Sequence, residues 1–448
     1  MNVLTLSNPG KREERVDEEK AQALVERWES ELAGATDFHV LDLHDRVYLP
    51  GAATKIAEFL VGRVSAIKEA RLNDVIASLP TDQGLAVLKT LSEALKDAPI
   101  ERLDLSDNAL GIRGVEAASE LLSVPTLKHL YLENDGLDTQ SMEVIANILT
   151  TDRDGRCVCD SLESLRIYNN MIGVEGARHT GKILARCREL KEFRYEGCRP
   201  LAEGCQAIAE GLFEMSRHND GLKTVLLEGS YGSSVDDDPV GDLCRALGRM
   251  VGLTKVRLGD CGLEEEGAKA AISALGYQEG LVELELQENE IVPTCMKDLV
   301  TLVKNNAETL EKLNLEGNEL TSIGVEKLVR AFQDKKSCLR ELKLGANQIG
   351  TRGARALMAS CDELPMLEHL LIDGNGFTDE VVADLEATFG KKLQQMEEND
   401  DDDVDEDLDD EDHQGGDDTS ETDEDDDEEV EELTQDLRKK LTPDDVSI

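Results

Sequence analysis

IERLDLSDNALG, residues 100–111, is the stretch that decides the fold. Ile100, Leu103, Leu105 and Asn108 fit the pattern L-x-x-L-x-L-x-x-N, and the same line recurs along most of the chain. It opens at Phe38, Ile67, Ile100, Leu127, Leu162, Leu190, Leu222, Leu253, Leu281, Leu310, Leu339 and Leu367, which makes twelve units. The steps are 28, 29 and 29 residues from Leu253 to Leu339, and 35 from Leu127 to Leu162, so the longer steps carry loop insertions. Within each unit the L-x-L alternation predicts a short strand with its leucines inward. The second half, such as GVEAASELL at 114–122, predicts an amphipathic helix.

This line is the signature of a leucine-rich repeat. One unit cannot bury its apolar side alone, so neighbours must stack. The predicted fold is an α/β leucine-rich repeat solenoid, a horseshoe of ribonuclease-inhibitor type with parallel strands inside and helices outside. At the turn after each strand, Asn108, Asn170, Asn289, Asn318, Asn347 and Asn375 recur, with Cys198 and Cys261 in the same place. These residues are expected to form a structural ladder, because a side-chain amide there satisfies loop backbone groups that cost roughly 1–3 kcal/mol each when buried unpaired. Function is then expected on exposed positions.

Four segments follow: a capping region at 1–37, the repeats at 38–394, an acidic tail at 395–432 and a last segment at 433–448. In the first, residues 17–34 place Ala23, Leu24, Trp28 and Leu32 at helical intervals and stop at Gly34, which predicts a helix covering the apolar edge of the first repeat. In the tail, 25 acidic residues and no Lys or Arg fall between Glu397 and Glu432, too little apolar content to offset ordering entropy. Leu433, Leu437 and Leu441 then recur at four-residue spacing, the pattern of a short helix.

The net charge is −48, of which −23 remains outside the acidic tail, so nucleic acid and anionic membranes are disfavoured partners and a basic protein is favoured. No apolar run is long enough to span a membrane, and the N-terminal MNVLTLSNPGKREER has no signal-peptide character. The ten cysteines form no paired framework and are expected as reduced thiols. Cys187, Cys205, Cys244, Cys295, Cys338 and Cys361 are expected as small core fillers. Cys157 and Cys159 form a C-V-C pair in the insertion TDRDGRCVCD, whose spacing is not that of a zinc knuckle. No metal cluster, phosphate-loop glycine motif, nucleophile elbow or cofactor fingerprint is present in the sequence, so no cofactor is expected and the chain is not read as an enzyme.

The fourth unit, LKHLYLENDGLD, departs from the ladder rule by placing Asp135 rather than Asn134 in the ladder position. Asn134 is then expected to face outward, as are Asp107 before Asn108 and Asn169 before Asn170. The simplest role for such residues is binding loop backbone.

LDLSDNALGIRGV, LKHLYLENDGLD and YNNMIGVEGA resemble the corresponding lines of the Ran GTPase-activating protein family, most closely its plant members. The resemblance also takes in the repeat length and the acidic tail. It implies a monomeric activator that binds the small GTPase Ran in its GTP form, with a Ran-binding protein as a further partner, and serves nucleocytoplasmic transport from the perinuclear cytoplasm. The family's exposed asparagine in the L-Y-L-x-N line matches Asn134 and orders the GTPase's own machinery without an arginine finger. Asp107, Glu133, Asp135 and Asn169 are the expected partner contacts around it. The family's loop arginine, in an F-x-G-R line, has no counterpart in LNDVIASLPTDQG at 72–84, where Leu79 takes its place. Arg71 on the preceding strand is the candidate substitute. The targeting domains of plant and vertebrate members have no counterpart, so nuclear-envelope anchoring is not implied. A non-catalytic acidic histone chaperone and a protein-binding scaffold remain alternative readings, since repeats with an acidic tail suit both.

Overall fold

The structure, a computed structural model, describes residues 4–10, 14–34, 37–153, 155–229, 231, 239–333 and 335–396. The acidic tail from 397 and the expected helix at 433–448 lie outside the described residues.

Thirteen parallel strands form one open sheet in strict chain order, from Thr5–Ser7 through Val40–Asp42 to His369–Leu371. The twelve expected openings each stand two residues before one of these strands: Leu127 before His129–Glu133, for example, and Leu339 before Glu341–Lys343. Inward leucines such as Leu103, Leu105, Leu130 and Leu132 are fully buried, and one continuous core runs from the cap to Phe389. Helices return the chain from each strand and pack side by side on the outer face. The expected helix at 114–122 is present but broken, as Gly111–Ala117 and Ser119–Leu122, with Ala118 between them outside helical geometry.

The thirteenth strand was not legible as a repeat. Thr5–Ser7 pairs in parallel with Val40–Asp42, and Leu6 is its single fully buried leucine. The capping helix is Glu18–Leu32, with Asp17 at its start accepting from the Lys20 N–H at 3.0 Å and Ala33 and Gly34 in left-handed conformations at its end. Its buried face is Ala21, Leu24, Val25, Trp28 and Leu32. Ala23 corrects the sequence expectation, since it faces solvent. Trp28 is fully buried against Phe59 and donates its indole N–H to the Ser7 carbonyl at 3.0 Å, tying the cap to the added strand.

The ladder forms as the physics requires. Asn318 accepts from the N–H groups of Asn289 and Ile291, at 3.1 and 3.0 Å, and donates to the carbonyls of Leu286, Leu315 and Glu316. Asn108, Asn170, Asn289, Asn347 and Asn375 are buried and bonded in the same way. Cys198 and Cys261 donate their thiols to carbonyls of the adjoining strands. Of the expected core cysteines, Cys338 and Cys361 are only half-buried, Cys338 in the link before strand Glu341–Lys343 and Cys361 opening a short 3-10 helix; the other four are buried.

Candidate functional site

The residue before each ladder position occupies the left-handed region of backbone space. This holds for Asp107, Asn134, Asn169, Gly197, Asp260, Glu288, Gly317, Ala346 and Gly374, and also for Asp45 and Asp74, which hold the equivalent place in the first two units before Arg46 and Val75. Stacking of the units brings these residues into a row along the loop edge of the horseshoe. Asp and Asn tolerate this conformation better than other residues with a side chain, which explains part of the composition. In the early units the row reads Asp45, Asp74, Asp107, Asn134, Asn169 and then Gly197, whose hydrogen leaves no further side chain.

Asn134 is exposed, with its backbone N–H bonded to the Tyr168 carbonyl at 2.7 Å. Its Nδ2 donates to Asp107 Oδ1 at 2.9 Å, and its Oδ1 accepts from Asn169 Nδ2 at 3.0 Å. Asn169 is also exposed and Asp107 half-buried. Three of the outward residues singled out in the sequence therefore form one hydrogen-bonded chain across three repeats. Each amide keeps further donor or acceptor capacity for a partner.

Asp135 is a correction. It is fully buried in the ladder, where one oxygen accepts from the Asn108 N–H at 3.0 Å, so it cannot meet a partner. Its Oδ2 has no hydrogen-bond partner. Burial, with Asp104, Asp107 and Glu133 nearby, pushes its carboxyl well above the usual carboxylate range. Glu133 stands half-buried on the strand face, 3.4 Å from Arg194.

Arg71 lies on the concave face, held by Glu69 at 2.7 Å and Asp42 at 3.1 Å, so its charge is already matched within the chain. Leu79 packs against the core. Arg15 and Arg113 touch the 72–84 stretch: Arg15 donates to the Ser78 carbonyl at 3.4 Å, and Arg113 pairs with Asp82 at 3.0 Å.

Sequence reasoning missed an arginine and tyrosine cluster beside Asn134. Strand register aligns Tyr131 with Arg166 and Arg194, and Glu133 with Tyr168. The Arg166 guanidinium sits 4.5 Å from the Tyr131 ring centre, and that of Arg194 sits 3.9 Å from the exposed ring of Tyr168. Aligning the strand lines by their second leucine puts these residues in adjacent columns, which is the signal that would have found them. Cys157 and Cys159 lie away from this edge, buried in the insertion with their sulfurs 3.2 Å apart, and burial pushes the Cys157 thiol up to about 11.

Comparison with known proteins agrees with this architecture. The leucine-rich repeat family model matches residues 306–329 and 335–358. RAN GTPase-activating protein 2 of Arabidopsis thaliana is 39% identical over 82 residues, 18% of this chain and 15% of that protein. Pig ribonuclease inhibitor (Sus scrofa) is 29% identical over 216 residues, 47% of this chain and 44% of the inhibitor. The chain thus spans less than half the length of either relative. Among solved structures, a chain of the yeast Rad7 and Elc1 complex superposes with a TM-score of 0.50 at 16% identity, over 83% of this chain and 85% of that one, which bears on the fold alone. Strand order, ladder and comparisons lead to one conclusion: the chain is a leucine-rich repeat protein, an open horseshoe with partial similarity to Ran GTPase-activating proteins.

Proposed function

We propose that this protein binds the small GTPase Ran in its GTP form and accelerates GTP hydrolysis by ordering the GTPase's own catalytic groups. The observation that carries this reading is the exposed amide of Asn134, held between Asp107 and Asn169 at the loop edge. A neutral amide both donates and accepts, so it can fix a side chain or an attacking water without adding a proton to the chemistry. Phosphoryl transfer needs positioning and electrostatic stabilisation above all, and a partner can supply the first without an arginine finger. The short similarities to two Arabidopsis Ran GTPase-activating proteins support the choice of GTPase.

The surrounding charge suits this role. Asp45, Asp74 and Asp107 precede Asn134 in the row, and the chain as a whole carries −48, so a basic partner surface is steered toward this edge. The activator is not itself an enzyme in this reading, and it works in the cytoplasm. Adding the purified protein to GTP-loaded Ran should raise the hydrolysis rate well above the intrinsic one; no acceleration at saturating protein ends this reading. The longer similarity to ribonuclease inhibitor favours a second one, a protein-binding horseshoe whose concave cluster of Tyr131, Arg166, Tyr168 and Arg194 is the contact surface. That protein would bind its partner without changing any hydrolysis rate.

A further inference from the structure

We infer that Asp107 and Asn169 are positioning residues, and that the single carboxylate of Asp107 sets which way the Asn134 amide points. The inference rests on the Ran-activating reading above.

Donors and acceptors along the row leave one arrangement. A carboxylate only accepts, so the side chain bonded to Asp107 Oδ1 must present its NH2 group, and Asn134 Nδ2 does so at 2.9 Å. With Nδ2 committed, Asn134 Oδ1 faces the next repeat and requires a donor. Asn169 supplies Nδ2 at 3.0 Å. The polarity therefore runs one way along the row, and Gly197 ends it with no side chain that would oppose it. The remaining Nδ2 hydrogen and Oδ1 lone pair of Asn134 take fixed places toward solvent, where a partner meets a donor on the Asp107 side and an acceptor on the Asn169 side. An amide with no charged neighbour would populate both orientations and offer the correct one only part of the time.

Left-handed backbone does not demand this arrangement. The same place in later units is filled by Glu288, Gly317 and Ala346, so the fold accepts residues that orient nothing.

The test reverses the polarity while keeping everything else. The double variant Asp107→Asn with Asn169→Asp preserves net charge, residue types in the row and the number of hydrogen bonds, but turns the Asn134 amide around. Full-length wild-type and swapped proteins are compared in single-turnover hydrolysis by GTP-loaded Ran at saturating activator, together with the dissociation constant for non-hydrolysable GTP-loaded Ran and the melting temperature. The expected result is a fall in the saturating rate of about tenfold or more, with binding within about threefold and melting unchanged, the pattern seen when an interaction made only in the transition state is removed. The single variant Asp107→Asn, which leaves the orientation free rather than reversed, should fall in between. A swapped protein that retains a rate within about twofold of wild type overturns the assignment. Wild-type protein that fails to stimulate hydrolysis overturns the reading beneath it, and the two failures are told apart by that control.

Discussion

Asn134 Nδ2 lies 2.9 Å from Asp107 Oδ1, although the two residues are 27 positions apart and both hold left-handed backbone, with φ of 54° and 62°. Stacking of consecutive repeats creates this contact: the Asp107 N–H bonds to the Glu133 carbonyl at 2.8 Å, which sets the two turns edge to edge. The bond holds an exposed amide in one place on a rigid scaffold. A surface asparagine on a mobile loop would pay the entropy of that ordering when a partner arrives.

Replacing Asp135 by Asn should stabilise the protein. Its unpartnered Oδ2 stands in the ladder place where Asn108 and Asn170 carry Nδ2 donors, and an amide would restore the donation. The expected gain is about 1–3 kcal/mol at neutral pH. Burial raises the carboxyl's folded value above its unfolded one, so the folded chain holds a proton that the unfolded chain releases. Stability from this group is therefore fully present below the unfolded carboxylate range, near 3.9, and is lost as pH rises toward the raised folded value. Chemical denaturation of wild type and Asp135→Asn across this range should show a difference that is small near pH 4 and grows toward neutrality.

Asn318→Ala should be among the costly single changes in the repeats. It removes the acceptor of the Asn289 and Ile291 N–H groups, while the carbonyls of Leu286, Leu315 and Glu316 each lose one of two donors. A loss of about 3 kcal/mol or more is expected, read as a lower denaturation midpoint.

Gly181→Ala tests the helical face independently of the loop edge. A Cβ there would stand 2.2 Å from the Ala207 carbonyl oxygen, backbone of the adjacent helix Leu201–Ser216, so the two helices must separate. Destabilisation of about 1–3 kcal/mol is expected. Below the melting range, stimulation of GTP hydrolysis should be unchanged.

Much of this molecule can be read from its leucines, because a repeating core writes its period into the sequence. Openings, strands and asparagine ladder all follow from one line. The added N-terminal strand is hidden because Leu6 is a single buried leucine without the rest of the pattern. Asn134 was visible as a departure from that line, but its bonds to Asp107 and Asn169 were not, since they depend on register between units of unequal length. Asp135 occupies the ladder place that the spacing assigns to it, and the burial that comes with that place is what removes it from the partner surface. The Tyr168 and Arg194 pair was missed for the same reason as the hydrogen-bonded row: side chains that meet across strands lie 26 residues apart.

The most direct measurement is single-turnover GTP hydrolysis by Ran with saturating wild-type or Asn134→Ala protein. Ordering of the GTPase by Asn134 predicts strong stimulation by wild type and a loss of about 100-fold or more in the variant, with unchanged melting and nearly unchanged affinity for GTP-loaded Ran. Stimulation by Asn134→Ala equal to that of wild type would contradict it.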